Sequence, residues 1–130
     1  MIPLLYSCSD QDDEYINVPL DFKVPSNFPA LTYDITANPP TVKGFELGKK
    51  LFYDGRLASD GIVSCGFCHI QENAFTHHGH TVSHGVGDAL GIRNAPPIQN
   101  LAYQATLMYD GVTNHLDLQP IIPLTSEIEM

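Results

Sequence analysis

The chain has 130 residues, one domain's worth, with hydrophobic residues at 43% and charged ones at 16%, so it is not wholly disordered. Fifteen Asp and Glu against six Lys and Arg give a net charge of −9, which excludes nucleic acid as a partner because phosphate binding needs a basic surface. No run of eighteen apolar residues offers a membrane-spanning helix, and three cysteines are too few for a disulfide scaffold.

In chain order, Leu5-Tyr6-Ser7-Cys8 is similar to the end of a bacterial lipoprotein signal. Cys8 is then a candidate lipid anchor, and the acidic run Ser9–Glu14 a tether. Residues 1–41 hold many prolines and no helical period, and are expected to be this remnant followed by an extended wrapping segment. Residues 42–54 form the clearest helix, with Leu47 and Leu51 four apart and Gly44 and Gly48 leaving a smooth strip for close approach. Asp54-Gly55 and Asp60-Gly61 mark turns, and a short helix is expected over Ser64–His69. Residues 70–95, rich in His, Gly and Asn, read as a long functional loop. Pro96-Pro97 predicts a helix running to about Gln104, and a last short helix is expected near His115–Gln119. Strand signals are weak, so the expected class is mainly α with long loops. The ending Ser126-Glu127-Ile128-Glu129-Met130 carries no stop signal, and a fragment of a longer protein is expected.

Cys65-Gly66-Phe67-Cys68-His69 is a C-x-x-C-H run, the attachment signal for c-type haem. On one helical turn, residues three apart face the same way, so both thiols can join the vinyl groups of one porphyrin. The next residue then offers its imidazole to the iron. Zinc is the competitor: Cys65-x2-Cys68, eleven residues, then His80-x3-His84 lies close to a two-Cys, two-His site. Such fingers are usually basic, and the linker lacks an apolar ladder. Five of the six histidines, His69, His77, His78, His80 and His84, fall in the motif and the loop after it, the natural source of a ligand for the iron's second face.

A longer ordered series carries a family resemblance. Leu47-Gly48-Lys49-Lys50-Leu51-Phe52-Tyr53-Asp54-Gly55-Arg56-Leu57, the C-x-x-C-H run, Ala74-Phe75-Thr76, Ser83-His84-Gly85, Arg93-Asn94-Ala95-Pro96, Tyr109-Asp110-Gly111 and Gln119 with Glu129-Met130 follow in turn. Together they resemble the N-terminal, peroxidatic haem domain of bacterial di-haem cytochrome c peroxidases, the group that includes MauG-type enzymes.

The resemblance implies a cytochrome-c-like haem domain over residues 42–130, its second haem domain lying outside the chain. It implies reduction of hydrogen peroxide to water with electrons from that second haem, fed by a small donor protein. Cys65 and Cys68 would hold haem c, His69 would be the proximal ligand and His84 the distal one, with His77, His78 and His80 as rivals. Asn94 would belong to a calcium site between domains. Gln119 and Glu129 would handle the peroxide: a carboxylate moves the proton between its oxygens and an amide orients it. Arg56 would pair with a haem propionate or fix a turn by an ion pair. Tyr109 stands where the family commonly has Trp between the haems. The alternatives are a mono-haem electron carrier and a MauG-like oxidant of a partner protein. Haem attachment of this kind implies the periplasm or cell envelope.

Overall fold

A computed structural model describes residues 16–130, so the expected lipid anchor at Cys8 and the acidic tether lie outside the described residues. Helices are few and short. α1 spans Val42–Phe52, α2 Cys65–Cys68 and α3 Ile121–Leu124, and single 3-10 turns cover Gly55–Leu57, Gln71–Asn73, Val86–Asp88 and Leu101–Tyr103. Among the described residues β pairing is confined to four isolated bridges, Pro19 with Thr41, Ile70 with Thr76, His84 with Leu90 and Leu107 with Thr113. No helix there is long and apolar enough to cross a membrane.

The extended stretch before α1 is anchored at both ends. Leu20 N–H donates to Pro40 O at 2.9 Å, and Thr32 and Tyr33 N–H groups both donate to Ala102 O. Tyr33 Oη donates to the Asp117 carboxylate at 2.6 Å and Asn38 Nδ2 to the same oxygen at 3.1 Å. Between this stretch, Phe45 of α1 and the Leu101–Tyr103 turn lies an open apolar groove of about 670 Å³. None of the described cysteines or histidines lines it.

α1 begins where expected because Thr41, in extended geometry, accepts the Gly44 N–H on its hydroxyl at 3.1 Å, and Lys49 and Lys50 favour its C-terminal end. It stops at Phe52 rather than residue 54, since Asp54 turns instead to cap the next element, accepting Arg56 N–H at 3.0 Å. No other element occupies the Gly44/Gly48 strip among the described residues. A Cβ on Gly48 would meet nothing, and the space over Gly44 is taken by the capping Thr41 itself.

Two expected helices are corrected. After Pro96-Pro97 the chain does not form a helix to Gln104. A proline at 97 disfavours α geometry at 96, and Asn100 sits at φ 56°, leaving one 3-10 turn at Leu101–Tyr103. Near His115–Gln119 the backbone makes a single turn, with Gln119 N–H donating to His115 O at 3.1 Å. The helix proper starts beyond Pro120, whose φ of −64° suits the entry.

The core sits beneath the C-x-x-C-H turn. Ala58, Val63 and Met130 are buried together, with Cys65 and Val86 packed against them. Met130 is brought there by backbone pairing: Ser59 N–H donates to Met130 O at 2.8 Å and Val86 N–H to Ile128 O at 3.0 Å. Gly85 is buried against this tail, and a Cβ there would overlap the Ile128 carbonyl.

Candidate haem site

α2 is one turn long, and its brevity suits its work. Cys65 and Cys68 are free thiols, both partly buried, at its first and last positions. Burial pushes both thiols above the usual range. For Cys68 the negative charges of Glu129 and then Cys65 add to burial in the same direction. Gly66 is required between them because the Tyr53 ring lies against its α-carbon, where a Cβ would clash.

His69 ends the turn, its N–H donating to Cys65 O at 2.8 Å. Its ring Nδ1 lies 2.9 Å from Phe75 O. A carbonyl can only accept, so Nδ1 carries the proton and Nε2 presents a lone pair. That is the tautomer a metal ligand needs, fixed by a backbone partner. The carbonyl is placed by a tight loop in which Phe75 N–H donates to Ile70 O at 2.9 Å and Ala74 and Phe75 both adopt φ 58°. Thr76 then hydrogen-bonds by its hydroxyl to Ala95 O, tying this loop to Arg93–Pro96.

The remaining expected residues are dispersed. Arg56 points to solvent and grips Asp54 with Nε and Nη2, the latter at 2.5 Å, an ion pair within the turn. The guanidinium holds the Asp54 carboxyl down to about 2, chiefly through its hydrogen bonds. Asn94 is exposed and its Oδ1 accepts Ala95 N–H at 2.9 Å. Among the described residues no three His, Cys, Asp or Glu side chains stand in metal-ligating geometry, so the cysteine pair and His80/His84 are not gathered into a zinc site.

His84 is partly buried, with Nδ1 2.5 Å from Asp88 Oδ1 and Nε2 2.9 Å from His80 Nδ1. Its backbone carbonyl accepts a hydrogen bond from the Cys68 thiol at 3.4 Å. Serving iron would oblige His84 to give up the His80 contact. Gln119 Nε2 donates to Met108 Sδ at 3.1 Å, so its amide is directed to Met108 and not to Glu129. Glu129 is exposed, its N–H donating to Ser126 Oγ at 3.3 Å. Tyr109 is 83% exposed, with the Arg93 guanidinium 5.1 Å over its ring and Arg93 paired to Asp110 at 2.7 Å.

Three contributors escaped sequence reasoning: the Phe75 carbonyl, Asp88 and Met108. A backbone carbonyl has no sequence signature, but Asp88, four residues past His84, could have been flagged as a carboxylate partner.

Two thiols three apart on one turn and an imidazole with its outer nitrogen free form a donor set that fits a haem attached through both thiols and ligated by His69. The chain belongs to the di-haem cytochrome c peroxidase family, whose family model matches residues 42–130. It is similar to the methylamine utilization protein MauG of Methylophilus methylotrophus, 33% identical over 109 residues, which covers 84% of this chain and 31% of that protein. It is likewise similar to the cytochrome c551 peroxidase of Pseudomonas aeruginosa, 33% identical over 104 residues, covering 78% of this chain and 29% of the relative. A solved structure of a MauG-like protein associated with microbial copper homeostasis superposes with a TM-score of 0.74 at 37% identity, covering 85% of this chain and 32% of that one. The chain thus spans about a third of the length of these relatives.

Proposed function

We propose that this chain is the peroxidatic haem domain of a di-haem cytochrome c peroxidase, with a cytochrome-c-like arrangement around haem c. Cys65 and Cys68 hold the group through thioethers and His69 is its proximal ligand. A second haem domain and a small donor protein supply electrons in the periplasm or cell envelope. The observation that carries this reading is the His69–Phe75 hydrogen bond, which presents Nε2 as a ligand beside two half-buried thiols.

Bound there, haem supplies a redox-active iron at which the O–O bond of hydrogen peroxide is reduced. Glu129, close enough to Cys68 for its charge to raise that thiol, is the proton carrier: it accepts a proton from one peroxide oxygen and returns it to the other. Gln119, its Nε2 held by Met108, keeps Oε1 as the end that accepts a peroxide hydrogen. His84 would be the distal ligand, its Nε2 giving up the His80 contact while Asp88 keeps hold of Nδ1.

A MauG-like role, oxidising a partner protein, is the second reading. It is favoured by the 38% identity to the MauG of Methylorubrum extorquens over 94 residues and by Tyr109, exposed in the Asp-Gly context where an electron relay is expected.

The test is the visible spectrum of the chain matured with haem in a periplasmic host, before and after one equivalent of peroxide. A Soret band resistant to acid-acetone extraction and shifting promptly with peroxide is expected, and Glu129→Gln should slow the shift by about 10²–10⁴-fold. A colourless protein sinks the haem assignment. A spectrum indifferent to peroxide sinks the peroxidase.

A further inference from the structure

The loop that serves His69 is held against its own backbone preference. Ala74 and Phe75 both sit at φ 58°, in the left-handed region, although each carries a Cβ. Two successive residues of that kind, one of them aromatic, persist only where their surroundings over-determine them. Inside the loop, Phe75 N–H donates to Ile70 O at 2.9 Å and Thr76 N–H to Asn73 O at 3.1 Å. Outward, the loop is tied by the Thr76 hydroxyl on Ala95 O and, at a longer 3.4 Å, by Tyr53 Oη on Gln71 Oε1. The anchor at Ala95 is itself fixed. Ala95 is buried, with its N–H on Asn94 Oδ1 at 2.9 Å, and Arg93 O two residues back accepts both the N–H and the hydroxyl of Ser83.

Thr76 governs the Phe75 carbonyl through the peptide bond they share. That unit is planar, so the direction of the Phe75 C=O follows from where Thr76 N and Cα are placed. The Thr76 N–H points to Asn73 O, and the carbonyl, on the opposite side of the plane's axis, meets His69 Nδ1 at 2.9 Å. The hydroxyl on Ala95 pins the Cα end of the plane. Without it, the strain at Ala74 and Phe75 is free to rotate the plane, and Nδ1–H loses its acceptor. A shared Nδ1 proton makes Nε2 a stronger donor, and a stronger donor favours the more highly charged, ferric iron.

We propose that Thr76 is a positioning residue for the iron site: anchored on Ala95, it keeps the Phe75 carbonyl on His69 Nδ1 and so holds down the reduction potential of an iron ligated by His69. The proposal rests on the reading of His69 as proximal ligand.

The test is a potentiometric titration of the haem-matured full chain beside Thr76→Val and Thr76→Ser. Valine keeps the shape and removes the donor. At a fixed ambient potential Thr76→Val should raise the ratio of reduced to oxidised iron about three- to tenfold, an upward shift of about 30–60 mV at about 59 mV per decade. The His69 Nδ1 proton, followed by NMR in the reduced chain, should exchange with solvent about tenfold faster. Thr76→Ser should restore both readings. Adding Ala74→Gly to Thr76→Val should recover part of the shift, because glycine tolerates the left-handed conformation. Thr41→Val removes a hydroxyl hydrogen bond at the start of α1 and should leave the potential where it was. Should Thr76→Val take up haem poorly, Thr76→Ala repeats the measurement. A potential unchanged in the hydroxyl-free variant, or raised equally by Thr41→Val, would overturn the proposal while leaving haem on His69. A chain that takes up no haem at all sinks the reading of His69 beneath it.

Discussion

Residues 64–76 and residues 107–130 both carry side chains expected at one site, yet the two regions hold them differently. In the first, each chemical group is set by a partner a few residues away: His69 by Phe75, Phe75 by Ile70, the Cys65 carbonyl by His69 N–H. In the second, Gln119 is turned toward Met108 and Glu129 is exposed at the surface, and what fixes the tail around Glu129 is its backbone, through Val86 to Ile128 and Ser59 to Met130. The proximal apparatus is local and self-sufficient. Glu129, proposed for the distal side, is delivered by docking a tail onto a distant loop, and it is only as well placed as that docking.

The comparison can be broken from either side. The largest effect is expected from Cys65→Ser with Cys68→Ser: no haem should remain on denaturing electrophoresis, because the attachment turn has no other thiol. Next is Gly85→Ala. Here the Ile128 carbonyl sits where the methyl must go, so the tail has to move; a loss of about 2–3 kcal/mol by urea unfolding is expected. If Gly85→Ala leaves both stability and the peroxide response unchanged, tail docking does not position Glu129. Smaller again is Thr76→Val, which leaves the Ala95 carbonyl without its hydroxyl donor at an otherwise buried residue and should cost about 1–2 kcal/mol.

The same contrast explains what could be read from the chain. α1, the C-x-x-C-H turn and the Asp54 and Asp60 turns were legible because each is written in residues that touch: Thr41 with Gly44, Asp54 with Arg56, and Asp60 with Ile62 N–H at 2.8 Å. The helices expected after Pro96 and near His115 were not. Proline marked an entry in both places, but whether a helix follows depended on Asn100 taking a left-handed conformation and on Pro120 rather than His115 starting the turn. The Met130 position was invisible, since a terminal methionine carries no sign of the Ala58 and Val63 it packs upon. Nor does the loop spacing state that His84 faces His80, although Asp88 four residues on was a readable hint.

Besides the packing of Cys65 against Met130, the two regions meet at the Cys68 thiol, and the smallest effect tests that meeting. The Cys68 thiol is raised first by burial, then by the Glu129 carboxylate, then by Cys65. Glu129→Gln removes only the second cause. The Cys68 pKa should fall slightly while burial keeps it above the ordinary value. In haem-free chain at pH 8, alkylation of Cys68 should therefore quicken roughly twofold, because the thiolate is the reacting form. Cys65, raised by burial with no Glu129 contribution, should react at its former rate and serves as the internal reference. Equal acceleration of both thiols would mean that the substitution loosened the tail and exposed the whole turn. No acceleration of either would mean that the Glu129 charge does not reach the attachment site in solution, and its role as proton carrier there would lose its footing.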